Sequence, residues 1–481
     1  MPAASVKSRV LSGLKWNAIS TIAIRGTDFG VKLILARILL PEAYGIVGMA
    51  MIIISFLEVV SDMGLFNALV QKKEDEFSEL RYSSAFWFLL VLASIFALCF
   101  YGFISQLGAS FYNEPLLVPV LNALSFYLFF NILSIVPRVL LTRQLNFKSL
   151  VQITFIGTAL SSVVAIALAI AGYGVWSIVV KYLVSSSTIF LSYWIKVNWR
   201  PQFKFNWQTL RQLAGYSTYT QINNILFFVR NNIDYLVIGK LVGAHVLGVY
   251  TLAFTLSEVL RTQLYSILNK VLFPVYSKIQ DDTEQIKKYY LKIMRFTAML
   301  TFPVSIIFIG LSENIILAFF GAKWLEAADP LRILAVASMI FAISGTPAEV
   351  LKGIGKPSVS FYLNMINTFV IALPLIYLGQ KYFGLNGVAY AVCIHYTTSR
   401  LAFHYYMKKY IHITDEEVFL ALRKPVMAAI TMLLVIEAGK LTSMENNLVL
   451  IVAGSLGSLV YILFFKDDIK YGIKLLSKKQ N

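Results

Sequence analysis

The stretch from Leu35 to Glu74 reads LARILLPEAYGIVGMAMIIISFLEVVSDMGLFNALVQKKE. It joins the end of one apolar segment to a second one, with the turn pair Leu40-Pro41 between them. Proline cannot continue the preceding helix, but it fits the first turn of the next one. The second segment is long enough to cross a bilayer, which takes about 20 apolar residues. The stretch therefore predicts two consecutive membrane helices.

The composition indicates that the whole chain is apolar enough for a membrane protein. Of the 481 residues, 58% are hydrophobic and 14% are charged, and the mean hydropathy is +0.70. Soluble globular proteins typically have about 25% charged residues, so the chain is predicted to be an all-α integral membrane protein. The basic N-terminal residues precede no signal-peptide cleavage pattern, and the first apolar stretch is therefore expected to be retained as a membrane helix.

Apolar stretches separated by turn signals predict fourteen membrane helices. Their expected bounds, good to a few residues, are 14–39, 42–70, 83–105, 115–136, 150–171, 174–196, 211–239, 244–272, 292–313, 328–351, 358–379, 384–407, 425–441 and 446–465. The helices group into an N-terminal six-helix lobe at 1–210, a C-terminal six-helix lobe at 211–410, and two additional helices with a basic tail at 411–481.

Basic residues divide unequally between the two sides of this predicted topology. With the N-terminus in the cytoplasm, the inner segments hold 30 Lys and Arg residues, the outer turns hold 5, and the other 7 lie within helices. Cytoplasmic loops of membrane proteins collect Lys and Arg. The distribution therefore predicts that both termini are cytoplasmic. It also accounts for the net charge of +17 without a nucleic-acid partner.

A weak internal repeat relates the two predicted lobes. The segment LARILLPEAYGIVGMA (Leu35 to Ala50) resembles VIGKLVGAHVLGVYTLA (Val237 to Ala253), and an offset of 203 residues pairs Gly45 with Gly248. Six helices, an even number, separate corresponding points, so the two halves face the same way. This predicts a parallel repeat about an axis along the membrane normal, with the last two helices outside it.

Charged side chains occur inside several predicted membrane helices, where each costs about 2.5–3.5 kcal/mol on insertion scales. Helix one carries Arg25, Asp28 and Lys32 at spacings of three and four, which places them on one face. Polar faces at the start of both lobes predict a water-filled cavity between the lobes. The predicted substrate-binding residues are Arg25, Asp28, Lys32, Arg230, Asp234 and Arg261, and the ion-coupling candidates are Glu58, Asp62 and Glu258.

Internal salt bridges are the alternative explanation of these charges. Arg25 could pair with Asp28 in helix one. Arg230 could pair with Asp234 in helix seven. Helix one, however, has two cations for one anion, and an excess cation in a membrane needs an anionic partner. Arginine suits phosphate through its planar, bidentate fork, so the excess favours a phosphate-bearing substrate.

Familiar enzyme and metal motifs are missing from the sequence. No GxxxxGK[ST] stretch occurs, which argues against ATP hydrolysis by this chain. His245, His395, His404 and His412 have no metal-ligand spacing with one another. We therefore expect no cofactor and no metal. No outer loop is large enough to carry a glycosyltransferase site.

The stretch from Leu35 to Glu74 resembles the N-terminal signature of polysaccharide transporters in the multidrug/oligosaccharidyl-lipid/polysaccharide exporter superfamily. It is most similar to their WzxC-type branch, which includes teichuronic-acid exporters. GLNGVAYA (Gly384 to Ala391) is similar to the beginning of helix twelve in that family. The resemblance covers most of the chain. It implies two six-helix lobes that rock about a central cavity in the bacterial inner membrane.

The resemblance also implies a flippase that moves undecaprenyl-pyrophosphate-linked oligosaccharides from the inner to the outer leaflet by alternating access. Relatives bind pyrophosphate with cavity arginines in the first helices of the lobes, and the matching positions here are Arg25, Asp28 and Arg230. A proton or sodium gradient is the implied drive, and Glu58 and Asp62 on one face of helix two could bind either ion. The implied partners are membrane lipids and polymerisation or export proteins, and a monomer is expected.

Two other functions stay open at this stage. A multidrug/cation antiporter of the same fold would favour cavity carboxylates and aromatics over arginines. A membrane glycosyltransferase or polysaccharide polymerase would need catalytic groups on sizeable outer loops, which the sequence lacks. The chain is therefore predicted to be a transporter and not an enzyme.

Two local features concern the membrane surface. The basic segment DDTEQIKKYYLKIMR (Asp281 to Arg295) could lie on the inner leaflet and attract anionic headgroups, or it could be the plain cytoplasmic start of helix nine. Tryptophans near helix ends are expected to be interfacial anchors. These are Trp16, Trp87, Trp176, Trp194 and Trp324.

Overall fold

The computed structural model describes residues 24, 26–71, 78–343, 346–441 and 446–466. Within these ranges every regular element is a helix and no strand occurs. A helix satisfies its backbone hydrogen bonds within one segment, which the membrane interior requires. The predicted all-α fold class is confirmed.

Residues up to Gly248 form the first of two compact units. Its helices are α1 (26–38), α2 (Pro41–Asp62), α3 (Leu65–Gln71), α4 (Ser78–Cys99), α5 (Ser105–Tyr112), α6 (Leu117–Leu133), α7 (Ile135–Arg143), α8 (Phe147–Ile170), α9 (Val175–Lys196) and α10 (Trp207–Val242). A π-helical turn at Phe100–Ile104 joins α4 to α5. Helices α6, α9 and α10 all pack against α2, which is therefore central to this unit.

The second compact unit begins at Val249, within α11 (Ala244–Lys278). Its other helices are α12 (Thr283–Ile315), α13 (Ala328–Ile343), α14 (Pro347–Gly353), α15 (Pro357–Met365), α16 (Leu373–Ile411), α17 (Asp415–Lys440) and α18 (Asn446–Phe464). Helices α13, α17 and α18 pack against α12. The Tyr461 hydroxyl on α18 donates a hydrogen bond to the carbonyl of Met299 on α12, at 3.1 Å. The two additional helices of the prediction are thus joined to the core of this unit.

Ten helical segments of the described residues are long and apolar enough to cross a membrane. One of them, Pro357–Ile411, has 55 residues and covers predicted helices eleven and twelve, with a kink where Gly384 has φ of 58°. Helices α10 and α11 match predicted helices seven and eight, but polar side chains interrupt their apolar stretches. The fold is that of a multi-pass membrane protein. The count of fourteen helices and the lobe boundaries at 210/211 and 410/411 stay predictions.

The predicted turns occur where proline and glycine favour them. Pro41 begins α2. Gly172 and Gly174 have φ of 84° and 56°, a conformation that favours glycine, and they separate α8 from α9. A further break follows α2, where Met63 and Gly64 have φ of 45° and 69°. Predicted helix two is therefore two helices, α2 and α3, because the apolar content that predicted one segment does not report backbone conformation.

Helix α12 begins at Thr283, before the predicted start of helix nine at residue 292. The segment from Asp281 to Arg295 therefore supplies its first turns. The side chains of Ile286, Tyr290 and Met294 recur every four residues and are fully buried in the core of the second unit. Because protein covers this apolar face, the segment is the start of helix nine and not a helix lying on the leaflet.

Helix α2 and the first turn of α11 cross with their backbones in contact. A Cβ atom built on Gly45 would overlap the carbonyl oxygen of Ala244. One built on Gly248 would overlap the carbonyl oxygen of Pro41. Only glycine, which has no Cβ, permits two helices to approach this closely.

The crossing joins positions that the internal repeat pairs. Gly45 and Gly248 are separated by the offset of 203 residues. Beside them, Glu42 Oε1 lies 2.7 Å from His245 Nδ1, and these two residues are separated by the same offset. The contact is thus self-complementary, like the contact across the two-fold axis of a symmetric dimer.

Tryptophan positions differ from the prediction at Trp324 and Trp87. Trp324 is fully buried, so it packs in the protein interior and the prediction of an interfacial anchor is wrong there. The sequence shows that Trp324 is near the end of a predicted helix. It does not show that neighbouring helices cover this side chain. Trp176 and Trp194 are half-buried near the ends of α9, as an anchor requires. Trp87 is half-buried in the interior of α4, nine residues after its first residue, and Trp16 lies outside the described residues.

Candidate functional site

Asp28 on α1 lies between two lysine ammonium groups. Lys32, one turn along the same helix, places its Nζ 3.2 Å from Asp28 Oδ2. Lys181 on α9 places its Nζ 2.7 Å from Asp28 Oδ1 and donates a hydrogen bond to it. The spacing of four puts Asp28 and Lys32 on one helix face. The packing of the first unit adds Lys181 from a distant part of the chain.

This cluster has more positive than negative charge among the described residues. Two ammonium groups face one carboxylate, and the side chains of Lys32 and Lys181 are 49% and 14% exposed. Each ammonium has three N–H donors, and one salt bridge does not use all of them. The cluster can therefore accept an additional anionic group beside Asp28.

Lys181 belongs to the site although its position in the sequence did not predict this. It is a single cation within an apolar helix, and residues 115–233 contain no Asp or Glu. Its anionic partner therefore has to come from another part of the chain. That partner, Asp28, is 153 positions away in the sequence. The acid-free stretch around an embedded lysine is the signal that could have identified it.

A pair of tyrosines extends the polar group toward α2. The rings of Tyr127 on α6 and Tyr182 on α9 meet edge to face, with centroids 5.4 Å apart. The Tyr127 hydroxyl lies beside the Glu58 carboxylate, and Tyr182 is within electrostatic range of both Asp28 and Glu58. Tyrosine offers a hydroxyl donor and an apolar ring face. The group can thus make hydrogen bonds and flat apolar contacts side by side.

The arrangement suits ion pairing and hydrogen bonding. Its one carboxylate at the centre, Asp28, already faces two cations, which would repel a metal ion. Within the described ranges, no three His, Cys, Asp or Glu side chains come together in a way that could hold a metal.

The other predicted site residues fall into two groups. Arg25 lies outside the described residues, and so do the side chains of Asp62, Arg230 and Arg261 on α2, α10 and α11. Asp234 on α10 and Glu258 on α11 are buried, with 8% and 5% of their surface exposed, and each interacts with a partner. Carboxylates this deeply buried need such partners. The assignment of these residues to a shared cavity stays a prediction.

Known proteins resemble this chain in sequence over most of its length. The profile of the family Polysacc_synt_3, polysaccharide biosynthesis protein, matches residues 34–329. The lipopolysaccharide biosynthesis protein WzxC of Escherichia coli strain K12 is 26% identical over 391 residues, which are 80% of this chain and 78% of WzxC. The succinoglycan biosynthesis transport protein ExoT of Rhizobium meliloti strain 1021 is 28% identical, over 74% of this chain and 72% of ExoT. The teichuronic acid biosynthesis protein TuaB of Bacillus subtilis strain 168 is 25% identical, over 74% of each chain.

Solved structures share the fold. The lipid II flippase MurJ, in an inward closed conformation, aligns with a TM-score of 0.75 over 94% of this chain and 99% of MurJ, at 18% identity. An inward-facing multidrug resistance transporter of the MATE family, in the MOP superfamily, aligns with a TM-score of 0.66 over 83% of this chain and 98% of its own, at 15% identity. At these identities the likeness establishes the architecture, in agreement with the fold that the sequence resemblance implies.

Proposed function

Because this chain belongs to the polysaccharide biosynthesis protein family, we propose that it is a flippase that carries lipid-linked oligosaccharides across a membrane. The relative ExoT is named as a transport protein of succinoglycan biosynthesis. MurJ, whose fold this chain shares, is a lipid II flippase. In the chain itself, the observation that carries the proposal is the excess of positive charge around Asp28. The role is transport and not catalysis.

The linkage between lipid and sugar is proposed to be a pyrophosphate on undecaprenol. Pyrophosphate oxygens accept charge-assisted hydrogen bonds, which the ammonium groups of Lys32 and Lys181 can donate. Arg25, three residues before Asp28, would add a planar fork that suits phosphate geometry. Tyr127 and Tyr182 would offer hydroxyls and ring faces to the sugar. The cluster would therefore offer cations to the charged part of the substrate and tyrosines to its neutral part.

This proposal is tested in proteoliposomes that contain the purified chain and a fluorescent undecaprenyl-pyrophosphate oligosaccharide. We expect labelled lipid to become accessible to a membrane-impermeant quencher on the opposite leaflet, faster than in protein-free liposomes. A matched lipid with a neutral linkage between the same isoprenoid and sugar serves as the control. It should flip more slowly, because it lacks the anion that the lysines bind.

Two results would contradict the proposal. Equal rates with and without protein would exclude flipping of this substrate class. Export of an organic cation in the same vesicles, without flipping of the lipid-linked sugar, would favour the multidrug antiporter instead.

The chain is proposed to reside in the bacterial inner membrane with both termini in the cytoplasm, and to work as a monomer that supplies polymerisation or export proteins. The basic segments that the topology places inside motivate the orientation. We expect a reporter fused after Lys440 to be active only outside the cytoplasm and one fused after Lys424 only inside it. Activity of both reporters on one side would refute the proposed topology at these helices.

Transport is proposed to be coupled to a proton or sodium gradient through Glu58, with Asp62 and Glu258 as further candidates. Glu58 supports this because it lies beside a tyrosine hydroxyl within a membrane-spanning helix, where a bare carboxylate is costly. We expect the flipping rate in vesicles to rise when one of the two gradients is imposed, and the rise to disappear in Glu58→Gln. A rate that ignores both gradients in the unsubstituted protein would refute coupling.

A further inference from the structure

Residues 197–206 connect α9 to α10 without regular secondary structure, bend at Phe203, and are named the strap here. Backbone N–H groups of the strap bind two side chains of α4. The amide of Gln202 donates to Ser83 Oγ at 3.0 Å, and the amide of Asn206 donates to Ser84 Oγ at 2.9 Å. Both serines are fully buried. The strap is therefore fixed along the start of α4 and is not a loose linker.

Two indole groups strengthen this attachment. Trp87 on α4 donates from Nε1 to the carbonyl of Gln202 at 2.7 Å and stacks on the ring of Phe203, with centroids 5.1 Å apart. Trp199 in the strap donates from Nε1 to Glu79 Oε2 at 2.9 Å. The strap thus has a defined inner side that faces α4, and its outer side is presented as a fixed surface.

The outer side of the strap is aromatic. Phe203 is 94% exposed, Phe205 is 54% exposed, and Trp207 at the start of α10 is 62% exposed. The ring centroids of Phe205 and Trp207 are 6.4 Å apart, so these two rings form one aromatic patch, and Phe203 stacks on Trp87 two residues before Phe205. Exposed neighbouring aromatics are typical of an interaction site, and at the edge of a bilayer they occupy the headgroup region.

Cations surround these aromatics. Lys196, Lys204 and Arg211 are exposed on and beside the strap. The stretch from residue 115 to residue 233, which includes the strap and both flanking helices up to α10's last turns, contains no Asp or Glu. Arg200 has a different role, because its guanidinium donates to the carbonyls of Val197, Trp199 and Trp194 and so holds the strap's shape. Glu79 of α4 also contacts the strap, through Trp199, but the exposed cations on and beside the strap outnumber this carboxylate, so the surface attracts anions.

The strap also adjoins the ends of two helices that can span a membrane. It directly follows α9 and packs on the start of α4, and both helices are long and apolar enough to span a membrane. Aromatic rings with cations at such helix ends match the headgroup region of an anionic leaflet in both polarity and charge. We propose that the strap binds the anionic phospholipid surface of the leaflet on the predicted cytoplasmic side. This inference does not depend on which substrate the chain transports.

The proposal is tested on the full chain reconstituted in bilayers that contain nitroxide-labelled phosphatidylglycerol or phosphatidylcholine. We expect the protein to prefer phosphatidylglycerol. The preference should fall at least about fivefold in the triple variant Lys196→Gln, Lys204→Gln, Arg211→Gln, since the loss of even one basic residue near an anionic surface removes about 1 kcal/mol, which is about fivefold. The matched control is Lys240→Gln, Lys323→Gln, Lys381→Gln, which removes the same charge from predicted outer turns and should keep most of the preference. Equal loss in both triple variants, or no loss in either, would overturn the proposal.

A second measurement does not depend on lipid preference. In a chain whose Cys99 and Cys393 are replaced by serine, Phe203→Cys carries an apolar nitroxide in place of the phenyl ring. We expect this label to be more accessible to oxygen, which partitions into the bilayer, than to a water-soluble nickel complex. Greater accessibility to the nickel complex would overturn the proposal, as would protection from both agents, which would indicate that protein and not lipid covers the strap.

Discussion

Replacement of Lys181 by methionine is expected to lower the flipping rate per folded molecule about ten- to a hundredfold, because loss of a charge-assisted contact costs about 1.5–3 kcal/mol. Methionine keeps an apolar stem of similar length and removes only the ammonium, so α9 should pack normally. The Lys181 side chain is 14% exposed and its Nζ lies 2.7 Å from Asp28, which fixes the charge in position. The rate is measured in proteoliposomes and normalised to the amount of folded protein.

A double variant distinguishes substrate binding from internal pairing. If Lys181 serves only to neutralise Asp28, the combination of Lys181→Met with Asp28→Asn should restore the rate and the yield of folded protein. If Lys181 binds the substrate anion, the double variant should flip no faster than Lys181→Met alone, because the missing donor is still missing. Wild-type flipping per folded molecule in Lys181→Met would remove this residue from the binding site.

Much of the helical architecture was predictable because hydropathy and turn residues report it directly. Pro41 begins a helix where the sequence predicts one, and the glycines at 172 and 174 separate two helices as expected. Hydropathy cannot report local backbone conformation inside an apolar run. The break at Met63 and the π-helical turn at Phe100–Ile104 were missed for that reason.

The candidate site was predictable only where its members share one helix. Asp28 and Lys32 are four residues apart, and helical geometry alone brings their charges together. Lys181 reaches the same carboxylate because the fold brings α9 beside α1, and helix packing is set by side-chain shapes that a single sequence does not report. Tyr127 and Tyr182 were missed for the same reason, since tyrosines are common in membrane helices and only their edge-to-face contact identifies them as a pair.

Substitution of Gly45 is expected to lower the yield or the stability of the folded protein. A leucine at this position would collide with the backbone of Ala244, which cannot rotate away as a side chain can, so we expect Gly45→Leu to yield little folded protein. Gly45→Ala should lower the free energy of unfolding by about 1–3 kcal/mol, the usual cost of overpacking. Thermal unfolding followed by intrinsic tryptophan fluorescence measures the change.

The control is Gly102→Ala. A Cβ at this position would meet no atom within 4 Å, and the higher helix propensity of alanine should stabilise the protein by at most about 1 kcal/mol. Equal stability of Gly45→Ala and Gly102→Ala would show that the crossing tolerates a side chain.

The symmetry of the crossing makes the combined substitution of Gly45 and Gly248 informative. Each new methyl group meets the backbone of the opposite helix, Gly45 against Ala244 and Gly248 against Pro41. A single outward shift of α2 from the first turn of α11 would make room for both methyl groups. We therefore expect the double alanine variant to lose less stability than the sum of the two single variants.

The Glu42–His245 pair should weaken with the same shift. His245→Gln should therefore lower the free energy of unfolding less in the double variant than in the unsubstituted chain. Strict additivity of the two glycine substitutions would mean that separate movements relieve the two clashes. The two repeat-related contacts would then be energetically independent of each other.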